Sequence, residues 1–499
     1  AGPREGAAAA NSQAFPLTRS RAPRTTFMQL NRFYNFGFTL LIFCGFATGD
    51  IFAQDVQRGV VRNTANASPG YTLIAPFGGQ QTFLIDLNGD VVHSWTTERN
   101  PSQAAYLLDD GCLLRTTKIP NVTFDVKGGP AGGIQKFSWD GRLLWDYAIS
   151  SERRLSHHDI EPLPNGNVLV VAWELKTKAE AVAAGRDPQK IAGDALWPEV
   201  VLEIQPAGLR GGNIVWEWHL WDHLVQSYDP TKANFGQPAD HPELIDINFV
   251  ERPIADWIHM NSIDYNPELD QILLSGRTFD EIWVIDHSTK SDAAVGHSGG
   301  RSGKGGDLLY RWGNPFAYFA GTPFDQALFG QHDPHWIPKG LPGAGNILIF
   351  NNGSDRDERP FSTIDELTPP LAEDHSYERT PGEPFGPGQL SWTYQDRDRL
   401  YSQRVSGAQR LPNGNTLICA GETGHVFEVT TTGEVVWDFH NHLGAPADTD
   451  ATDNAKNDAP SNRGGRGGAL NGVAMFRATR FPPGYPAFVG RTFNRVIAK

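Results

Sequence analysis

Short apolar runs recur along the chain, each launched by a turn built from Pro, Asn or Asp, and Gly. The sharpest two are Leu163–Val171 (LPNGNVLVV) and Leu411–Cys419 (LPNGNTLIC). Looser copies are Leu107–Leu114 (LLDDGCLL), Asn266–Leu274 (NPELDQILL) and Leu341–Phe350 (LPGAGNILIF), with Tyr71–Ala75 a degenerate sixth. A second pattern follows each run: an apolar strand, a Gly turn, then a strand ending in an aromatic. It reads FLIDLNGDVVHSW at 83–95, KFSWDGRLLWDY at 136–147 and VFEVTTTGEVVWDF at 426–439. Alternating apolar residues around such a turn predict a β-hairpin. Six inner strands and six outer hairpins predict an all-β, six-bladed β-propeller, whose radial closure hides the sheet edges. Two stacked β-sandwiches would not repeat one turn six times. The run GVAMFRATRF (472–481) is the natural strand to close the ring against the first blade.

One propeller domain is therefore expected over 70–499, with long loop insertions on one face. A short helix is expected in 179–195, and 220–256, 288–306 and 442–468 read as loops bordering the site. The 499 residues carry 53 Gly, 35 Pro and 14 Trp against 3 Met, in keeping with many turns and aromatic strands. A formal charge of -14 argues against a nucleic-acid binder.

Met28, Arg32 and the apolar stretch Phe36–Phe46 have the form of a secretory signal over 28–53, with Ala47 or Ala53 at the cleavage point. The run is too short to span a bilayer of roughly 30 Å. Residues 1–27 read as an extension ahead of that start. The expected mature protein is exported, periplasmic or secreted, without stable membrane insertion. Cys112 and Cys419, the cysteines beyond this leader, read as buried thiols, with a disulfide the alternative.

The chemistry sits just ahead of the turns. Five residues before the turn's first apolar residue stand His158, His332 and Ser406, and the fourth repeat places Asn261 near this register with His259 two residues away. Arg277 closes the fourth apolar run. A structural column would be apolar or Gly, whereas this one is rich in imidazole. Three histidines could bind a metal, but a neighbouring Arg opposes a divalent ion and suits an oxyanion such as sulfate or phosphate. No metal and no cofactor are expected at this cluster.

The runs DWIHMNSIDYNPELDQILLSGR (256–277), QHDPHWIP (331–338) and HHDIEPLPNGN (157–167) resemble the bacterial arylsulfate sulfotransferases, as do VWEWHLWDHLVQ (215–226) and LLYRWGNP (308–315). The resemblance implies a six-bladed exported propeller that works without the nucleotide sulfate donor PAPS. It implies sulfuryl transfer from an aryl sulfate to a phenol by a ping-pong route through a sulfohistidine. By motif, His332 would be that histidine, with His259, Arg277 and His158 as catalytic partners. Asn261, Ser406 and His157 would touch substrate, and His157 rivals His158 for the inward position. Trp257, Trp336, Phe316 and Tyr318 could stack an aryl ring, and His335 is the alternative nucleophile. The family's enterobacterial members carry a close-spaced, disulfide-forming cysteine pair that this chain lacks. The partners expected are a small aryl sulfate and a phenol, and a homodimer is compatible with the chain. A noncatalytic binding module and an aryl sulfate hydrolase are the competing readings.

Overall fold

A computed structural model describes residues 57–125, 128–354, 356, 359–444, 470 and 472–493. The leader and extension expected over 1–53 lie outside the described residues, as does most of the 442–468 insertion. Six four-stranded antiparallel sheets make a six-bladed propeller. From the centre outward, blade 1 runs Met475–Phe481, Tyr71–Pro76, Gln81–Ile85 and Val91–Thr96. Blade 3 runs Arg154–Pro162, Val168–Glu174, Glu199–Ala207 and Gly211–His219, and blade 4 runs Met260–Asn266, Gln271–Gly276, Glu281–Asp286 and Tyr310–Trp312. The first strands of blades 2, 5 and 6 are Pro101–Leu107, His332–Trp336 and Gly407–Arg410. The six first strands touch one another in a closed ring.

The turn-launched apolar runs are thus the second strand of each blade, not the innermost as expected from the pattern. The strand before each turn takes the central place. It lines a polar channel, so it carries HHD, MNS or HDPH and lacks the apolar signature of a buried strand. The C-terminal run does close the ring, as the innermost strand of blade 1. Gly59–Asn63 adds a fifth strand to the outer edge of blade 6, pairing with Val435–His440 and covering an edge that would otherwise be open.

The aromatic that ends each outer hairpin has a defined task. Trp95 donates its indole N–H to Ser138 O, Trp145 to Gly211 O, and Trp216 to Thr289 Oγ1. Trp312 donates to Pro387 O, Trp392 to Thr431 O, and Trp437 to Leu87 O. Every one of these bonds runs from a blade's fourth strand to the outer hairpin of the next blade. The ring packs into the blade interface while its polar edge is satisfied.

A buried polar hub ties the centre. Arg477 pairs with Asp159 and, at 2.9 Å, with Asp333. Tyr106 OH donates to Asp159 at 2.9 Å, and the amides of Ile263 and Ala408 donate to Asp159 and Asp333. All six inner strands therefore contribute one group each. Cys112 and Cys419 are buried free thiols on different blades. Burial raises both, Cys112 to about 11, so neither is a thiolate nucleophile. Among the described residues, no helix is long and apolar enough to cross a membrane.

Candidate active site

The inner strands of blades 3, 4 and 5 each break their ladder where they enter the channel. Register shifts fall opposite Val171, Ser275 and Ile349. The backbone turns left-handed within the shift at His158 (φ 47°) and Asp333 (φ 55°), and just ahead of the blade 4 strand at His259 (φ 54°). Such bulges re-aim side chains at the cost of local strain, and the surrounding ladder holds them in place. The result gathers imidazoles from three blades. The rings of His158 and His259 lie 4.5 Å apart, nearly perpendicular. Burial holds His158 well below its usual range, with His259, His157, His332 and Arg277 adding to the effect.

His332 is 3% exposed. Its Nδ1 lies 2.7 Å from Asn352 Oδ1 and 3.1 Å from Gly330 O. The Asn352 amide is oriented by its own donors, which reach Ser402 O at 2.7 Å and Val405 O at 3.0 Å. Both neighbours of Nδ1 are therefore acceptors, so Nδ1 carries the proton and Nε2 keeps a lone pair. Burial and then the Arg277 charge lower His332 to about 3, so the ring is neutral at pH 7.

His259 Nδ1 sits 2.5 Å from Asp256 Oδ2, and Trp173 Nε1 donates to the other oxygen at 3.0 Å. Burial pushes Asp256 up, but the His259 charge and hydrogen bond outweigh it and hold the carboxyl low. His157 is fully buried and stacked on Trp173 at 3.9 Å. It stands behind His158, with Nδ1 2.8 Å from His158 Nδ1 and Nε2 2.7 Å from Glu199 Oε2. Of the pair, His158 is the one against His259. Its ring lies flat on Gly129, where a β-carbon would come within 2.0 Å of Cε1.

Arg277 lines a groove of about 500 Å³ together with Thr278, Phe249, Phe329, Gly330 and Ser354. Gly330, whose carbonyl faces His332, joins this groove to the histidines. Asn261 is fully buried, donates to Gln331 O at 2.8 Å, and leaves its Oδ1 without a partner. Ser406 bonds Ser402 Oγ and Arg404 O and accepts from the Gly421 amide, so its hydroxyl braces the turn that holds Asn352. His335 bonds Asp333 O and sits among the acids Asp333 and Asp264 instead. Trp257, Trp336 and Tyr318 are core residues, while Phe316 is exposed beside Phe249.

Sequence reasoning missed Asp256, Glu199, Asn352 and Gly129. Asp256 alone left a trace, standing three residues before His259. The others come from distant strands and loops that only the fold brings in.

Fold and site together describe a propeller whose channel mouth is rich in imidazole and carries a guanidinium. Residues 76–435 match the model of the arylsulfotransferase (ASST) family, and the chain belongs to that family. No curated protein matches it. Among solved structures it is similar to a Bacteroides caccae protein of unknown function, at 14% identity and a TM-score of 0.41 over 76% of this chain and 96% of that one. It is also similar to a putative 6-phosphogluconolactonase from Bacteroides fragilis, at 10% identity and 0.34 over 76% and 96%. Likeness at this level carries no argument about activity.

Proposed function

We propose that this protein moves a sulfuryl group from an aryl sulfate to a phenol, without PAPS, through a sulfohistidine on His332, in an exported location. The observation that carries the reading is the locked tautomer of His332. A neutral imidazole with Nδ1–H held by Asn352, a bare Nε2 and the Arg277 charge near enough to lower its basicity supports a nucleophile working with an anion clamp.

In the first half-reaction, His332 Nε2 bonds to sulfur as the sulfur–oxygen bond to the aryl group breaks. Arg277 holds the three sulfuryl oxygens through a loose, in-line transition state in which charge builds on the departing aryl oxygen, as in phosphoryl transfer. The leaving phenolate takes a proton from His259 Nε2, and the Asp256 carboxylate supports the imidazolium in the manner of a His–Asp pair. The product is a phenol, sulfo-His332 and a neutral His259 or its solvent-reprotonated form. In the second half-reaction, neutral His259 takes the acceptor's proton while the phenol oxygen bonds to sulfur and Nε2 departs. Asn261 presents an acceptor oxygen, which suits a phenol O–H better than an anionic sulfuryl oxygen. Phe249 and Phe329 line the groove where an aryl ring would stack.

His158 stays uncharged. Its Nδ1 is occupied by His157, so only Nε2 is available, and the Glu199–His157 pair sets whether that atom donates or accepts.

The test is donor turnover without acceptor, followed by mass analysis of the peptide bearing His332. One added sulfuryl group per chain, and its absence in His332→Asn with folding retained, is the expected result. A label on another residue removes the assignment. Release that proceeds equally without phenol favours the hydrolase, and no release favours a binding module.

A further inference from the structure

Away from the channel, three metal-type donors converge where the segment following blade 3 meets the outer loop of blade 4. His223 Nδ1 and His297 Nδ1 each lie 2.8 Å from the same oxygen, Asp307 Oδ1. His223 is fully buried and Asp307 nearly so, while the His297 side chain is 62% exposed.

The state of His223 is fixed from its other side. Nε2 lies 2.9 Å from Ala294 O, a carbonyl that can only accept, so Nε2 carries a proton. The ring is stacked on Trp218 with an interplanar angle of 5°, and Gly306 packs so close that a β-carbon there would come within 2.6 Å of Nε2. The imidazole cannot swing. A neutral His223 therefore turns an unprotonated Nδ1 toward a carboxylate oxygen, two lone pairs face to face. Either a second proton or a cation must lie between them. A ligating histidine whose other nitrogen donates to a backbone carbonyl is the usual outer arrangement of a metal site.

We propose that His223, His297 and Asp307 bind a divalent transition-metal ion of the zinc type, with the fourth position open to solvent on the His297 side. Two imidazole nitrogens and one carboxylate oxygen suit that ion class. Among the described residues a second close His/Asp group, His425, Asp438 and His440, is flanked by the charges of Arg58 and Arg62, which oppose a cation.

The ion would act as a clip. Residues 288–307 hold six glycines and would be costly to order. Asp286 already fastens the loop at Ser288 and Ser302, and the metal would fasten it at His297 and Asp307 to the segment that starts at Leu220. That same segment goes on to deliver Phe249 to the groove and Asp256 and His259 to the histidine cluster.

The experiment uses the full chain, equilibrated with Zn²⁺, freed of excess by gel filtration, and analysed for zinc. His297→Ala should hold one zinc fewer per chain than the parent, and His425→Ala should hold the same amount as the parent. Equal zinc in the parent and His297→Ala overturns the site. Cleavage by trypsin at the exposed Arg301 and Lys304 gives a second readout. Zinc at about 100 times its Kd should slow cleavage through loop opening about 100-fold, in the parent but not in His297→Ala. A rate indifferent to zinc overturns the clip and leaves a protonated His223 paired with Asp307. Should His297→Ala fail to fold, Asp307→Asn with its near-identical shape serves the same comparison.

Discussion

Replacing Glu199 by Gln probes how a fully buried acid sets the behaviour of His158 from two residues away. Glu199 Oε1 accepts from the Met260 amide at 2.9 Å, and Oε2 lies 2.7 Å from His157 Nε2. Burial pushes Glu199 well above the carboxylate range, and the nearby Asp256 charge adds to it, while burial lowers His157 to about 3. Both directions place the proton on Glu199. Its O–H then donates to His157 Nε2, His157 Nδ1–H donates to His158 Nδ1, and His158 Nε2–H is left as an uncharged donor. In Glu199→Gln the Met260 amide still claims the carbonyl oxygen, so the NH₂ group donates to His157 and every bond keeps its sense. The expected kcat/KM is within about threefold of the parent, under about 1 kcal/mol. Were Glu199 ionised, both relay bonds would run the other way, and Gln would convert His158 Nε2 from acceptor to donor. Inverting one preorganised group costs about 10²–10³-fold, or ~2.7–4 kcal/mol. Steady-state sulfuryl transfer between a chromogenic aryl sulfate and a phenol reads the difference, with a thermal melt to confirm folding. A loss beyond about 100-fold in folded Glu199→Gln refutes the neutral relay.

Gly129→Ala should lower kcat/KM at least about 100-fold in the folded protein, because its β-carbon occupies the place of the His158 ring, and an alanine at a φ of 88° should lower the melt as well; wild-type turnover would show that His158 is dispensable. Asn352→Asp sets a carboxylate opposite His332 Nδ1–H, so the basicity of His332 should rise and an acid limb should appear in the rate of sulfoenzyme formation; an unchanged pH profile counts against the contact. In the parent, His332 is lowered to about 3, so the burst of phenol release should show no inflection near pH 6.5 attributable to the nucleophile. The same depression has a stability consequence: the unfolded state takes up protons on His157 and His332 first, so stability should fall as pH drops from about 6.5 toward about 3. For both groups the slope approaches ~2.7 kcal/mol per pH unit, and urea midpoints equal at pH 7 and pH 5 would contradict it. Arg277→Lys keeps the charge but loses the fork, so transfer should weaken without vanishing; an unaffected rate would remove Arg277 from the clamp.

Local repetition determined a good deal of this molecule. The recurring turn before Val168, Thr416 and their counterparts specified six blades, because turn geometry and strand alternation are encoded within a dozen residues. The aromatic closing each hairpin was equally plain, though not its bond to the neighbouring blade. The histidines, Asn261 and Arg277 stood out because polar residues at an inner register have no packing reason to be there. What the sequence could not decide was anything joining residues from different blades. The innermost strands of blades 2 to 6 were invisible because a channel-lining strand has no apolar period, whereas that of blade 1 showed itself as the C-terminal run. Between His157 and His158 the choice depends on a bulge in which residues 157–159 stand against Val171 alone and the backbone turns left-handed at His158. The tautomer of His332 depends on Asn352, and that of His158 on Glu199, 41 positions further along the chain. These are properties of distance and burial, which exist only once the ring has closed.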